Sequence, residues 1–515
     1  MATTNHVSTD IAVMPFLWVA PLALYLITFI IAFDRPSWYF RTPLAVLILA
    51  AVYLTALVHS LGIGTSRVFD AGTPGIMLST MALLFSPVAE SPEIRLGTMT
   101  FLAINFATMF FICMLCHGEL YRQRPDPRYL TSYYLMIALG GALGGVFVTF
   151  IAPKLFLTYY EWELTLFIAC VLSIGFLLRT MVDIMFKEDD EKSRRPWHYA
   201  VLAALVLGVF LPSAVLLLDL VDFLQPPGAD AKLRVRDFFG TLAVFERNED
   251  DPLTHHHVIK HGTITHGSQF IHERRRREPL SYYSRLSGVA RAIDFYRREL
   301  ASEQMRVGVV GLGSGTMAAY VDGGDSITFY EINPEVLKIT ESGRWFTYLQ
   351  DCRQRGAECD IRLGDARLTL RRELELDLPQ NYHVIVLDAF SGDSFPAHLL
   401  TVEAFELYLK HLSSASTTGE VAAATGEDGA ILVHISNRYL NLAPLAFGIA
   451  EHFGLHAIRI ENEDDAENNI YRSEWVVLTR NNKLAAELAH FASDIDHTPT
   501  ILWTDTHSSL FDILK

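Results

Sequence analysis

An apolar run that breaks into glycines, followed by further apolar runs that each end in an acid, admits few folds. Arg306-Val-Gly-Val-Val310 leads straight into Gly311, Gly313 and Gly315. Ile327-Thr-Phe-Tyr-Glu331 is the next such run, and its carboxylate stands 20 residues after Gly311. Leu363-Gly-Asp-Ala-Arg367 and Val384-Ile-Val-Leu-Asp388 repeat the pattern. Apolar runs of strand length alternating with helical patterns point to parallel strands, because each parallel return needs a crossover, usually a helix. Strands are expected at 306–310, 326–331, 359–363, 382–388, 429–436, 456–460 and 474–479, with a helix over 291–300 leading in. The expected fold is α/β and Rossmann-like, a doubly wound parallel sheet.

In such a sheet, ligands bind beyond the carboxyl ends of the strands. Gly311, Gly313 and Gly315 stand at the first of these ends, where small residues let backbone N–H groups approach a ligand. Glu331, at the second, is placed to accept hydrogen bonds from ribose hydroxyls. Asp365, followed by Ala366, suits an adenine amino group or a turn in which its carboxylate satisfies the Gly364-Asp-Ala backbone groups. Asp388 ends the fourth strand and Asp393 follows five residues on. Two carboxylates there can hold a cationic amine and take its proton, since an amine attacks only after losing one. Asp393 also suits the cap of a helix from about 398. A dinucleotide oxidoreductase fits poorly, because Thr316 stands where the G-x-G-x-x-G fingerprint has its last glycine.

The chain has 515 residues, of which 50% are hydrophobic and only 19% charged, and the apolar ones crowd before about residue 225. Candidate membrane spans, each near the roughly 20 residues a bilayer requires, are 13–33, 43–62, 73–90, 97–117, 130–152, 160–181 and 198–221. Gly140, Gly141, Gly144, Gly145 and Pro212 suit close helix contact or a kink. Residues 1–14 carry no Lys or Arg, so the basic start of a signal peptide is missing. The same absence, with Arg35 and Arg41 after the first span, puts the N-terminus outside and the C-terminal domain in the cytoplasm. Arg122, Arg124, Arg128, Lys192, Arg194 and Arg195 count the other way. Pro226-Pro-Gly228 marks the linker. The expected domains are a transmembrane helical region over 1–225, a small β-rich segment over 226–290 and the Rossmann-like domain over 291–515. Residues 413–429 read as a loop.

A net charge of −16 argues against nucleic acid as a partner. Five cysteines are too few for a disulfide framework, and Cys113-Met-Leu-Cys-His117 reads as helix packing rather than haem attachment. His255, His256 and His257 are consecutive in a strand and alternate faces, so they cannot converge on a metal, and none is expected. His261 and His266 are better placed for substrate contact. Arg274-Arg-Arg-Arg277 suits anionic lipid head groups or a solvated turn, and His117 and Glu119 suit a polar entrance or a solvated helix end.

Gly311-Leu-Gly-Ser-Gly315, Tyr330-Glu-Ile-Asn-Pro334, Gly364-Asp-Ala-Arg367 and Leu387-Asp-Ala-Phe-Ser-Gly-Asp-Ser-Phe-Pro396 together resemble the spermidine synthase (polyamine aminopropyltransferase) family. More closely, the chain resembles the members in which a multi-helix membrane region precedes the synthase-like domain, and the match covers roughly 235–515. The resemblance implies a class I methyltransferase/spermidine synthase-like fold with a small N-terminal β segment. It implies an adenosyl sulfonium donor, S-adenosylmethionine or its decarboxylated form. Gly311, Gly313, Ser314, Gly315, Glu331, Asp365 and Ala366 would hold that donor. Asp388 is implied as the amine-side base with Asp393 assisting, and His261, His266, Gln269, Tyr282 and Tyr283 as substrate contacts.

Departures bear on the reaction. Ser314 stands where synthases carry the aspartate that grips the donor's ammonium, Thr265 where they carry a glutamine, and Tyr283-Ser284 where they carry a His-acid pair. The leading expectation is aminopropyl transfer to an amine with release of methylthioadenosine. Ser314 leaves open methyl transfer or lyase-type cleavage of intact S-adenosylmethionine. A polyamine transporter or sensor with a donor-binding domain is the rival from another class. The expected partners are donor, amine acceptor and bilayer, in a cell inner membrane with the catalytic domain cytoplasmic; a homo-oligomer is left open.

Overall fold

The computed structural model describes residues 1–5, 15–60, 98–187, 231–262, 264–300, 304–390, 395–413, 428–437, 440–493 and 499–513. Two compact units divide at Ala229 and Asp230. The expected spans 73–90 and 198–221, the linker 226–228, Asp393 and most of the expected loop 413–429 lie outside the described residues.

The first unit is helical: α1 Pro15–Asp34, α2 Arg41–Ser60, α3 Thr98–Arg122, α4 Leu130–Val146 and α5 Tyr160–Lys187. Three stretches, Phe101–Arg122, Pro127–Leu155 and Tyr160–Thr180, are long and apolar enough to cross a membrane. Ile48 and Val52 of α2, Met109 and Leu115 of α3, and Trp162 and Leu166 of α5 form an apolar core. Among the described residues, no helix packs closely on Gly140, Gly141 or Gly144 of α4. A Cβ at Gly140, Gly141 or Gly144 would meet open space among the described residues, and the helix instead loosens into a π turn over Phe147–Ile151. Glu119 and His117 also depart from a solvated or entrance role. Glu119 accepts from Tyr39 Oη and from the Arg41 guanidinium, and His117 Nδ1 pairs with Thr28 Oγ1 at 3.2 Å. Burying these groups in an apolar bundle is tolerable only because each has such a partner.

The second unit opens with an antiparallel meander, β1 Ala231–Asp237, β2 Gly240–Arg247, β3 His256–His261 and β4 Ile264–Phe270, in that spatial order. The three consecutive histidines separate as strand geometry requires: His255 pairs with Glu246, and the ring nitrogens of His256 and His257 go to the carbonyls of Thr254 and Trp345. Half of the arginine run is half-buried and paired within the protein. Arg275 lies over the Phe270 ring and pairs with Glu278, while Arg276 neutralises the buried Asp351.

After α6 Gly288–Glu299 come β5 Arg306–Val310, β6 Ser326–Glu331, α7 Pro334–Glu341, α8 Tyr348–Gln354, β7 Glu358–Leu363, α9 Ala366–Glu375, β8 Val384–Leu387, α10 Val402–Lys410, β9 Ala430–His434, α11 Ala443–Phe453, β10 His456–Asn462, β11 Ser473–Thr479 and α12 Asn482–Leu488. The sheet runs β10-β11-β9-β8-β5-β6-β7. Its five strands β9, β8, β5, β6 and β7 are parallel, and Val307, Val309, Val384 and Val386 are wholly buried because helices cover both faces. The sheet is nonetheless mixed, contrary to the all-parallel expectation. β11 inserts between β9 and β10, antiparallel to both. The reason is local: the ten residues between β10 and β11 contain no helix, so the chain cannot cross over and must turn back.

Candidate active site

The order of strands reverses at β5, whose neighbours are β6 on one side and β8 on the other. Crevices form at such switch points because consecutive crossovers leave on opposite faces. A cavity opens there, enclosing about 870 Å³ with its open mouth included. Gly311, Gly313, Glu331, Asp365, Ala366 and Asp388 line it, and Phe239, Leu242, Ile259, His261 and His266 of the small sheet close over it.

The glycine turn is shaped by close approach. Gly311 has φ +105° and donates to the Tyr330 carbonyl at 2.9 Å, and a Cβ there would run into the Asp388 carbonyl oxygen. Gly313 has φ +53°, and a Cβ would lie 2.5 Å from the His266 carbonyl oxygen. Both positions therefore demand glycine. Beyond it the chain enters only a five-residue 3-10 turn, Thr316–Tyr320. So short a turn does not offer a pyrophosphate the N-terminus of a long α-helix.

Two of the expected donor contacts sit elsewhere. Ser314 is buried with its Oγ 2.8 Å from Thr316 Oγ1, packed where Gly267 leaves room, and Gly315 faces Thr340 and Leu349. Neither lines the cavity, because the positive φ of Gly313 turns the following residues toward the core.

Glu331 is almost fully buried. Its Oε2 accepts from the Leu312 N–H at 2.9 Å and its Oε1 from the Asn333 N–H at 2.7 Å. Burial pushes its pKa above the ordinary glutamate value, against the pull of those backbone donors. Asp365 caps α9 through the Leu368 N–H at 2.8 Å, and its second oxygen lies 2.9 Å from His398 Nε2. His398 holds the Asp365 pKa below the usual carboxylate range. The turn role of this aspartate is thus realised, and the carboxylate also faces the cavity.

Asp388 anchors the other end. Oδ2 accepts from Tyr283 Oη at 2.5 Å, and Oδ1 lies 2.7 Å from His434 Nδ1. The Glu474 N–H donates to Ser436 Oγ at 2.8 Å, and Ser436 Oγ lies 2.9 Å from His434 Nε2. With the Ser436 proton directed at Nε2, His434 carries its own proton on Nδ1 and donates it to Asp388. The rings of Tyr282 and Trp475 stack on the imidazole with centroids at 4.7 and 4.5 Å. Tyr282 lines the cavity, whereas Tyr283 reaches Asp388 from behind it. Gln269 is not a cavity residue: it is buried, accepting from the Thr347 N–H and donating to Thr347 Oγ1 and the Arg276 carbonyl.

His434 was not singled out by sequence reasoning. A histidine closing the wholly apolar run Ala430-Ile-Leu-Val433 was the available signal, since an imidazole at a buried strand end needs a polar partner. His261 Nε2 bonds the Phe239 carbonyl at 2.8 Å. His266 lies obliquely near it at 5.5 Å, with a buried Nε2 that has no partner among the described residues, and burial drives its pKa down to about 3.

A switch-point cavity lined by three acids at or just after strand ends defines a Rossmann-like domain. The chain is similar to a polyamine aminopropyltransferase from Vibrio vulnificus (strain CMCP6), with 28% identity over 207 residues, 38% of this chain and 62% of that protein. It therefore spans about three fifths of the length of that curated relative. A probable spermidine synthase from Corynebacterium glutamicum ATCC 13032, known from its crystal structure, is matched over its whole length and 54% of this chain at 13% identity and a TM-score of 0.34. The fold assignment rests on the strand order above rather than on that likeness. No family profile matches the chain.

Proposed function

We propose that this protein transfers an aminopropyl group from decarboxylated S-adenosylmethionine to an amine, releasing methylthioadenosine. One observation carries the reading: the cavity is lined by Glu331, Asp365 and Asp388 and by no Lys or Arg among the described residues. Three carboxylates without a basic counterpart suit a dication, and the decarboxylated donor carries a sulfonium and a primary ammonium. Similarity to an aminopropyltransferase supports the same conclusion.

In this reading Glu331 accepts from the ribose hydroxyls and Asp365 faces the adenine, between apolar surfaces supplied by Ile332, Val336 and Leu399. The amine nitrogen attacks the propyl carbon bonded to sulfur. The C–S bond breaks and its electron pair stays on sulfur, giving the neutral thioether. Positive charge thus moves from sulfur to nitrogen, toward Asp388, whose carboxylate stabilises it and takes the amine proton. Asp393 stays a candidate assistant, outside the described residues.

A second reading rests on Ser314. The glycine turn holds no acid, and the Ser314 side chain is buried under Gly267. Intact S-adenosylmethionine then becomes a substrate for methyl transfer or lyase-type cleavage. Incubating the purified chain with either donor, with and without putrescine, separates the two. Amine-dependent methylthioadenosine and spermidine from the decarboxylated donor support the first. Methylthioadenosine from intact donor without amine supports a lyase, and S-adenosylhomocysteine a methyltransferase.

The helical first unit is assigned to the cell inner membrane, with the catalytic unit on the cytoplasmic side where such donors are made. The three long apolar helices among the described residues support a membrane location, and Arg35 and Arg41 after a first span that no Lys or Arg precedes support the side. Alkaline extraction that frees the protein from membranes, or a C-terminal reporter active only outside, would overturn it.

A further inference from the structure

Among the described residues, every acid and every other histidine that lines the cavity has a protein partner. Glu331 holds two backbone N–H groups, Asp365 a helix N-terminus and His398, Asp388 a tyrosine and His434, and His261 the Phe239 carbonyl. His266 differs. Its Nε2 is buried and without a partner among the described residues, while the residue lines the cavity. Leaving a buried polar group unpaired costs about 1–3 kcal/mol, so such atoms in folded proteins commonly await a ligand or a water.

Its position says which part of a ligand it meets. The His266 carbonyl abuts Gly313, so the residue sits over the glycine turn, between Glu331 and Asp365 on one side and Asp388 on the other. In the adenosyl-donor reading, ligand atoms between a ribose at Glu331 and the Asp388 end cross the glycine turn that His266 overlies. The imidazole is neutral at physiological pH because burial excludes its charged form. A neutral ring can pair with a donor or an acceptor, and the surroundings choose. With three carboxylates and no Lys or Arg on the lining, an anionic group would meet only repulsion, while a cationic N–H donor fits.

We propose that His266 accepts a hydrogen bond through Nε2 from the primary ammonium at the end of a sulfonium donor's tail, the contact that Ser314 cannot make. This rests on the adenosyl-donor reading above and adds the residue that distinguishes donor from product. The consequence is that His266 recognises ligands with the charged tail and ignores those without it.

Calorimetric titration of the full-length chain in detergent tests this with two probes, methylthioadenosine and decarboxylated S-adenosylmethionine. In His266→Ala the decarboxylated donor is expected to bind about 10- to 100-fold more weakly, the range for a hydrogen bond to a charged group. Methylthioadenosine, which lacks the tail, should change less than about twofold. His266→Gln, which keeps a neutral acceptor, should recover part of the donor affinity. Equal losses for both probes would reduce His266 to packing and overturn the proposal, as would unchanged donor affinity in His266→Ala. If the unaltered chain binds neither probe, the adenosyl reading itself fails and takes this proposal with it. Binding of methylthioadenosine to every variant keeps the two failures apart.

Discussion

The two ends of the cavity are built by different means. At the end proposed to take the adenosyl group, Gly311, Gly313, Glu331 and Asp365 come from consecutive strand ends within about 55 residues, and apart from the exposed His398 on Asp365 each acid is held by neighbours in its own segment or the adjacent turn. At the amine end, Asp388 is held by Tyr283 and His434, residues 105 and 46 positions away, and His434 is wedged against Tyr282 and Trp475. Local backbone makes the first end; long-range packing makes the second. Damage should therefore stay confined at the first end and spread at the second.

The largest expected effect is at the amine end. Asp388→Asn should lower kcat for aminopropyl transfer by about 10²- to 10⁴-fold while methylthioadenosine still binds; an undiminished rate removes Asp388 as the base. Glu331→Gln is the counterpart, expected to weaken methylthioadenosine about 10- to 100-fold by calorimetry. A loss confined to kcat would show that the two ends are not separable.

His434 sharpens the contrast because it acts through Asp388 as a positioning residue. His434→Ala should reduce kcat by about tenfold or more, the scale of one hydrogen bond to a charged group, with KM for the donor little changed. A shift in donor KM alone would place His434 at the adenosyl end. Partial rescue by His434→Gln is expected, since an amide N–H can still donate to Asp388.

The pH dependence of stability offers a smaller effect. His266 titrates near pH 3 folded, against an ordinary value near 6.5. Between these values the unfolded chain binds the extra proton, so folding stability is lost as pH falls from about 6.5 toward 3. The slope is at most about 1.4 kcal/mol per pH unit for one such group. His266→Gln should flatten the fall in melting temperature between pH 6.5 and 4.5, and an unchanged slope would contradict the buried neutral imidazole. The smallest change is expected from His398→Ala. It removes one exposed partner of Asp365 and should cost methylthioadenosine binding about 1 kcal/mol or less.

The difference between the ends also explains what was legible. Gly311, Gly313, Glu331, Asp365 and Asp388 could be located from one-dimensional pattern because strand ends and tight turns leave signatures within a few residues. Ser314 and Gly315 followed the same pattern and still fell outside the cavity, since one left-handed residue at Gly313 redirects the chain. Gln269 resembled a substrate contact by position and proved to brace Thr347. The antiparallel β11 was hidden because pairing direction depends on what the connection holds, and a strand's own residues do not encode it.

The order of apolar runs, glycines and strand-end acids alone determined a Rossmann-like sheet with a cavity at its carboxyl edge, because hydrogen-bonding strands and crossovers obey local periodicity. Tertiary structure decided the rest: that His434 and Tyr283 grip Asp388, that Ser314 turns inward, and that His266, over the glycine turn, has a buried nitrogen with no partner among the described residues. Those are contacts between segments far apart in the chain. Only packing, which selects one arrangement among many compatible with the same pattern, can specify them.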